Sequence, residues 1–509
     1  MKRFTGQVTV FLSLTALSLF ALFGTCLEGS RCACRDYLCA QAANSSLRSV
    51  VAGFQGETMR EYGLLLCPGR EGGTEVWQDV MLTHAEKYLR PGTGTLHADG
   101  DRIGLLGLEL ESQNAVYITE DNGAVFTEAA LTYMKSAGLA QLLQEVLGRL
   151  GLYSEEDGAG FLETIGNMIG DKDSSLEGIV SNLDDIREQA AALQEEARQK
   201  AEESDMEYEP PAGTSEDVST DLLEQIRAIR KNGLIAIITG TEELSGHSWE
   251  SPALPSRLSE AEKMRHFGFG NEPDTMLNHL LLGEYMQHKM TSYAAGDGGD
   301  ARYEAEYVLT GRKTDKASFE TTVGEILLIR MGFNLAYLAT DAEKVALAEA
   351  TAAAIMTLLA LPQLILLLKW LLLSAWALAE SIVDVRGLVR GRKIPLWKNA
   401  ATWKLSAMKL DLSAEGGGTA GLSYEDYLRV LFFLGDTNKQ SYRMMDVIQE
   451  RIGQQVPGFR MRDCLVWASV TLRADVSYLY LNAPFLRTEA GPRSGRRFRK
   501  EAVYGYGRR

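Results

Sequence analysis

The residues best placed by type and spacing to do chemistry are Glu304 and Glu306, in the run Tyr303-Glu304-Ala305-Glu306-Tyr307. Alternation of this kind predicts a strand over 302–309, where positions two apart share a face. Two neighbouring carboxylates can serve as general acid and general base, because each raises the pKa of the other. Such a pair would suit an exported enzyme acting on a cell-wall polymer. The competing expectation is structural. Arg302, Arg312, Lys313 and Arg330 would neutralise the pair, and Glu380, Asp384 and Arg386 would extend the charge network. No nucleophile accompanies the two glutamates, so the structural network is the expected role and no catalytic residue is assigned.

Other chemistries find less support. His279 and His288 share a helical stretch, but nine residues is a poor spacing for one face and no third ligand follows. Cys32, Cys34 and Cys39 fall in a helical pattern, where i and i+2 point to different sides and cannot share a tetrahedral ion. Gly416-Gly417-Gly418 lacks a following Lys-Ser or Lys-Thr, and reads as a hinge rather than a phosphate cradle. Neither a metal nor a cofactor is expected.

The elements that must hold these residues start from the N-terminus. Positions 8–27 carry no charge, follow Lys2 and Arg3, and end at Glu28. As a helix this stretch is long enough to span a hydrocarbon core of ~30 Å. The positive residues before it favour a cytoplasmic N-terminus, leaving the bulk outside. Gly6, preceded by Lys2 and Arg3 and followed by the apolar run, is a candidate prepilin-type processing site. Phe11 stands where pilins usually carry a glutamate, so a retained anchor is the expectation. Five of the six cysteines lie within the first 67 residues, which is not how a disulfide-stapled domain distributes them.

The 509 residues, 45% hydrophobic and 24% charged, are enough for several packed modules. A net charge of -16 argues against a nucleic-acid partner. The pattern predicts a helix-dominated α+β chain. Its divisions are an anchor over 1–27 and a membrane-proximal helix with a first α+β module over 28–152. A helical or coiled-coil arm with its linker covers 153–232, and a second α+β module 233–344. An apolar helical hairpin split by Pro362 occupies 345–395, a C-terminal module 396–486, and a basic flexible tail 487–509. Strands are expected at 62–66, 115–119 and 234–239. A crossing of the membrane near 350–379 is the alternative to the hairpin, and would make the chain a two-span component.

Several stretches resemble an uncharacterised family of envelope proteins from Gram-positive, clostridia-like bacteria, a domain of unknown function. They are Gly6-Gln7-Val8-Thr9-Val10-Phe11-Leu12, Tyr303-Glu304-Ala305-Glu306-Tyr307-Val308-Leu309, Ile329-Arg330-Met331-Gly332-Phe333-Asn334, Trp376-Ala377-Leu378-Ala379-Glu380-Ser381 with Ile382-Val383-Asp384-Val385-Arg386, Tyr424-Glu425-Asp426-Tyr427-Leu428-Arg429 and Arg443-Met444-Met445-Asp446. The resemblance implies a companion of Tad-type pilus or secretion machinery, pseudopilin-like at its N-terminus. Its implied partners are membrane lipid and other envelope proteins, and no catalytic residue carries over.

Overall fold

The computed structural model describes residues 4–90, 104–136, 238–239, 244–266, 268–269, 275–295, 302–358, 362–405, 416–418, 420–480, 482 and 495–505. The expected arm at 153–232 lies outside the described residues. Helices dominate, with a smaller sheet component, so the chain is α+β. It divides into two units: residues 1–130, 257–271 and 448–509 in the first, residues 131–256 and 272–447 in the second.

The first unit is organised on one helix of 49 residues, α1 (Phe4–Ala52). Its early apolar side chains are exposed, Phe11, Leu17, Phe20 and Phe23 each by about two thirds. From Cys32 onward a stripe of Cys39, Ala42, Ala43, Leu47 and Val50 is buried. Glu28, the first charge after the apolar run, is buried too. Its carboxylate accepts from the backbone N–H groups of Leu479 and Tyr480 at 2.9 and 2.7 Å and pairs with Arg35 at 3.6 Å. After α2 (Gly56–Tyr62), the expected strand at 62–66 does not form. Gly63 ends α2 in the left-handed region at φ +70°, and pairing starts only at β1 (Cys67–Pro68). Leu64 and Leu66 are buried without joining a ladder, so hydrophobicity there marks the core rather than a strand.

A small hairpin, β2 (Arg70–Glu71) and β3 (Thr74–Glu75), leads to α3 (Trp77–Leu89), which buries Trp77, Met81, Ala85 and Leu89 one turn apart against α1. Strand β4 (Leu105–Tyr117) begins well before the expected 115–119, and α4 (Ala124–Ser136) follows. The four-stranded sheet is closed by the other end of the chain. Strand β5 (Cys464–Ser477) lies at its centre, antiparallel to β4 on one side and to β1 and β6 (Gly495–Gly505) on the other. Alternate residues Ala468, Val470, Leu472, Ala474 and Val476 are buried, in core with α1 and α3.

Within the expected basic tail of 487–509, the described residues 495–505 form strand β6 rather than a flexible end. Arg497 pairs with Asp475 at 2.9 Å, Arg499 with Glu111 at 2.6 Å and Lys500 with Asp36 at 2.8 Å, while Phe498 and Ala502 turn inward. Three of the strand's cations are thus matched by acids on β4, β5 and α1. Cross-strand opposite charges favour this register.

The second unit is helical. It contains α5 (Met276–Lys289), α6 (Glu304–Thr310), α7 (Asp315–Thr340), α8 (Ala342–Leu358), α9 (Ile365–Val389), α10 (Tyr424–Leu434) and the greater part of α11 (Thr437–Gln455). Of the expected strand 234–239, the described residues Ile238 and Thr239 are helical and buried. The apolar hairpin divided by Pro362 is present as α8 and α9. Partners run Arg330 with Asp384, Asn334 with Ser381 and Glu349 with Lys369. Helix α9 therefore returns antiparallel beside α8 and then beside α7, in one continuing register.

Candidate functional site

A dense cluster of buried charge lies at the base of this hairpin. Thr314 caps α7 by accepting from the Ala317 N–H at 3.2 Å, and the helical period then turns Arg330 and Asn334, four apart, to the same side. On α9, Glu380, Ser381 and Asp384 face them. All five are fully buried, and Lys398 from the following loop nearly so. The Arg330 guanidinium donates to Asp384 Oδ2 from Nη2 and Nε at 2.8 and 3.2 Å. Its Nη1 donates to the carbonyls of Pro395 and Leu396, both at 3.0 Å, and to the Tyr427 hydroxyl at 3.3 Å. Asn334 Nδ2 donates to Ser381 Oγ at 2.9 Å and to Asp384 at 3.1 Å.

Lys398 Nζ completes the set, bonded to Glu380 and 2.6 Å from Asp384 Oδ1. Glu380 also accepts from the backbone N–H groups of Lys404 and Leu405, each at 2.9 Å. Two cations and two anions are balanced and nearly every bonding position is used. Chemically, the arrangement is a clamp: it ties α7, α9, α10 and the 393–405 loop together. In the Gly416 to Gly418 stretch, expected as a hinge, Gly416 is buried against α9 and Gly418 is exposed. A Cβ on Gly387 of α9 would lie 2.4 Å from the Gly416 carbonyl oxygen, and the Gly416 N–H donates to Val383 O at 3.2 Å.

Of the expected charge network, Arg330, Glu380 and Asp384 come together here. Arg386, two residues beyond Asp384, is turned to another side of α9 and is half-buried. Lys398 is the cation that sequence reasoning did not single out. Glu304 and Glu306 belong to a separate cluster and are not on a strand. Segment 304–310 is helical, and five consecutive residues from Glu304 to Val308 are buried, so the alternation reflects burial on all sides. Glu304 Oε2 accepts from the Thr291 N–H and hydroxyl at 2.9 and 3.0 Å. Glu306 Oε1 accepts from the Tyr293 N–H and the Tyr424 hydroxyl, both at 2.9 Å. Both carboxylates are fully buried and serve the loop after α5. Burial pushes the Glu306 carboxyl up to about 7, against the pull of these hydrogen bonds.

Nearby, Asp315 accepts from Trp249 Nε1 at 2.8 Å and Ser245 Oγ at 2.6 Å, while Asp446 accepts from the Ser256 N–H at 2.9 Å and the Tyr307 hydroxyl at 2.7 Å. Trp249 stacks on Tyr307 with centroids 4.3 Å apart. Each of these acids lies on or beside an ordinary helical pattern in the sequence, and nothing there marks it as buried.

In the first unit a cleft of about 360 Å³ is lined by Arg70, Glu75, Glu120, Arg265, Arg462 and Asp463 among others. Its charges answer one another. Arg70 sits 3.6 Å over the Tyr117 ring and pairs with Glu75, and Glu120 accepts from the Tyr117 N–H and lies 2.8 Å from His266 Nδ1. On α1, Cys32 is buried and Cys34 exposed, so the two do point apart. Burial pushes the Cys67 thiol up to about 11, leaving it protonated at neutral pH. His279 Nε2 lies 2.8 Å from the Thr437 hydroxyl. Among the described residues, no group of three or more His, Cys, Asp or Glu side chains is placed to hold a metal ion.

The hairpin, the buried acids of the second unit and strand β5 nearly to its end all fall within residues 212–476, slightly more than half of the chain, which match the model of a family of unknown function (DUF5702). The chain belongs to that family. No curated protein and no solved structure matches it.

Proposed function

We propose that this is a membrane-anchored envelope protein, held by the first half of α1, whose role is structural: an accessory of a pilus-like or secretion assembly. One observation carries the reading. A single unbroken helix is apolar and exposed in its first half and forms the core of a folded unit in its second. Among the described residues, three helices are long and apolar enough to cross a membrane, but they differ in how far the protein itself covers them. In the most apolar window of 7–52 only 6% of residues are buried, against 56% for α7 and 44% for 362–389. Exposed apolar surface of that length needs a hydrocarbon environment. The chemistry of the second unit supports a non-catalytic role, since its buried acids are spent on backbone N–H groups, hydroxyls and paired cations.

The test is fractionation combined with protease shaving. The full chain should stay in the membrane pellet after alkaline carbonate. External protease on intact protoplasts should then digest the bulk. Digestion only after lysis would reverse the proposed orientation, and release of the full chain by carbonate would remove the anchor.

A further inference from the structure

The α8–α9 hairpin carries a second apolar surface whose character differs from that of α1. Past the Glu349–Lys369 ion pair (3.2 Å), the sequence from 350 to 368 contains no charge. Its described residues, 350–358 and 362–368, include Leu366 and Leu367, exposed by 62% and 55%. Trp370 and Leu347, at the level of the ion pair, are also substantially exposed. Below that pair the same α9 helix is covered by protein, from Leu373 through Trp376 to Val389.

We infer that the described residues of this tip, 350–358 and 362–368, are immersed in a single lipid leaflet, with Glu349, Lys369 and Trp370 at headgroup level. The inference rests on the anchored reading, which supplies the bilayer. Length is the first argument. From Glu349 to Leu358 α8 rises about 14 Å, at 1.5 Å per residue. One leaflet contributes roughly half of a ~30 Å hydrocarbon core. Direction is the second: the chain enters on α8 and returns on α9, so both ends stay on one side. Residue choice at the boundary is the third. A tryptophan and a lysine whose stem packs down while its ammonium reaches an acid are the types that settle at a membrane interface. A full crossing by α9 would instead carry Glu380, Asp384 and Arg330 toward the bilayer centre, and these are held in a protein-enclosed network.

Photo-crosslinking of the full chain in phosphatidylcholine–phosphatidylglycerol vesicles tests this. p-Benzoylphenylalanine is placed singly at Phe20, Leu367 or Trp397, the last an exposed tryptophan at the hairpin base (61%), and adducts are read by mass spectrometry. Lipid adducts at Phe20 and Leu367, and at least tenfold fewer at Trp397, are expected. Adducts at Phe20 with none at Leu367 overturn the immersed tip and leave the anchor standing. Absence at Phe20 with adducts at Leu367 overturns the anchor alone, and absence at both overturns both. Protein-to-protein adducts at Leu367 would show a second copy covering the tip, and equal lipid adducts at Trp397 would overturn the single-leaflet depth.

Discussion

The two ends of helix α9 solve opposite problems with one element. Near its C-terminus the helix hides Glu380 and Asp384 completely, while near its N-terminus it exposes Leu366 and Leu367. In water the reverse would be favoured, because apolar area gains from burial and charge loses hydration. The base tolerates its charges because Arg330 and Lys398 balance them and Asn334, Ser381, Tyr427 and four backbone groups use the remaining bonding positions. Replacing such a network whole by apolar residues is often neutral, whereas removing one partner alone is costly. The tip has no such internal answer, and the proposed lipid leaflet would supply one.

The sharpest way to break the comparison is to unbalance the base. Arg330→Met leaves the Asp384 carboxylate buried without its main cation, and should cost about 3–5 kcal/mol. Denaturant melts of the detergent-solubilised chain would read this directly. Adding Asp384→Leu should restore most of the loss, because Glu380 still holds Lys398. If the double variant is no better than the single one, the network is not the unit described. Next in size is Gly387→Ala, whose new methyl meets a backbone oxygen of Gly416 rather than a movable side chain. A cost of about 1–3 kcal/mol is expected, in the range for overpacking. A variant as stable as the parent would show that the loop is a hinge after all.

How much of this was legible depends on whether an element's signal is local. The 8–27 stretch and the segments on either side of Pro362 are legible as helices because length, composition and the proline are all local facts. The sheet is not, although β5 alternates clearly in Val466 to Val476. Its partners β4 and β6 lie at opposite ends of the chain, and no spacing rule joins Leu472 to Leu110. The contiguous modules expected at 28–152 and 396–486 therefore share one sheet. Arg330 and Asp384 were recognisable as helical charges amid apolar neighbours, whereas Lys398 sits in an irregular loop and gives no periodic clue. Glu304 and Glu306 misled because a seven-residue helix buried on all sides has no face to mark, and its alternation imitates a strand.

Glu306 extends the comparison to a buried acid bonded by an amide and a tyrosine rather than a cation. Its carboxyl rises from 4.5 to about 7 on folding, so between those pH values the folded chain holds a proton that the unfolded chain has released. Stability should fall as pH rises through this window, by up to about 1.4 kcal/mol per pH unit. Glu306→Gln should flatten that slope relative to the parent in melts from pH 4.5 to 7.5. An unchanged slope would mean that the carboxyl finds a partner when ionised.

The smallest effect on folding is expected where the effect on partnership is largest. Replacing both Leu366 and Leu367 with Ser removes apolar surface that the protein itself leaves exposed. The detergent-solubilised chain should therefore melt within about 0.5 kcal/mol of the parent, as exposed positions generally do. In vesicles the same variant should lose protection of the 342–358 segment against added protease, while α1 keeps the chain in the membrane. A fall in stability comparable to that of Arg330→Met would place these leucines in a core, and the contrast between the two ends of α9 would disappear.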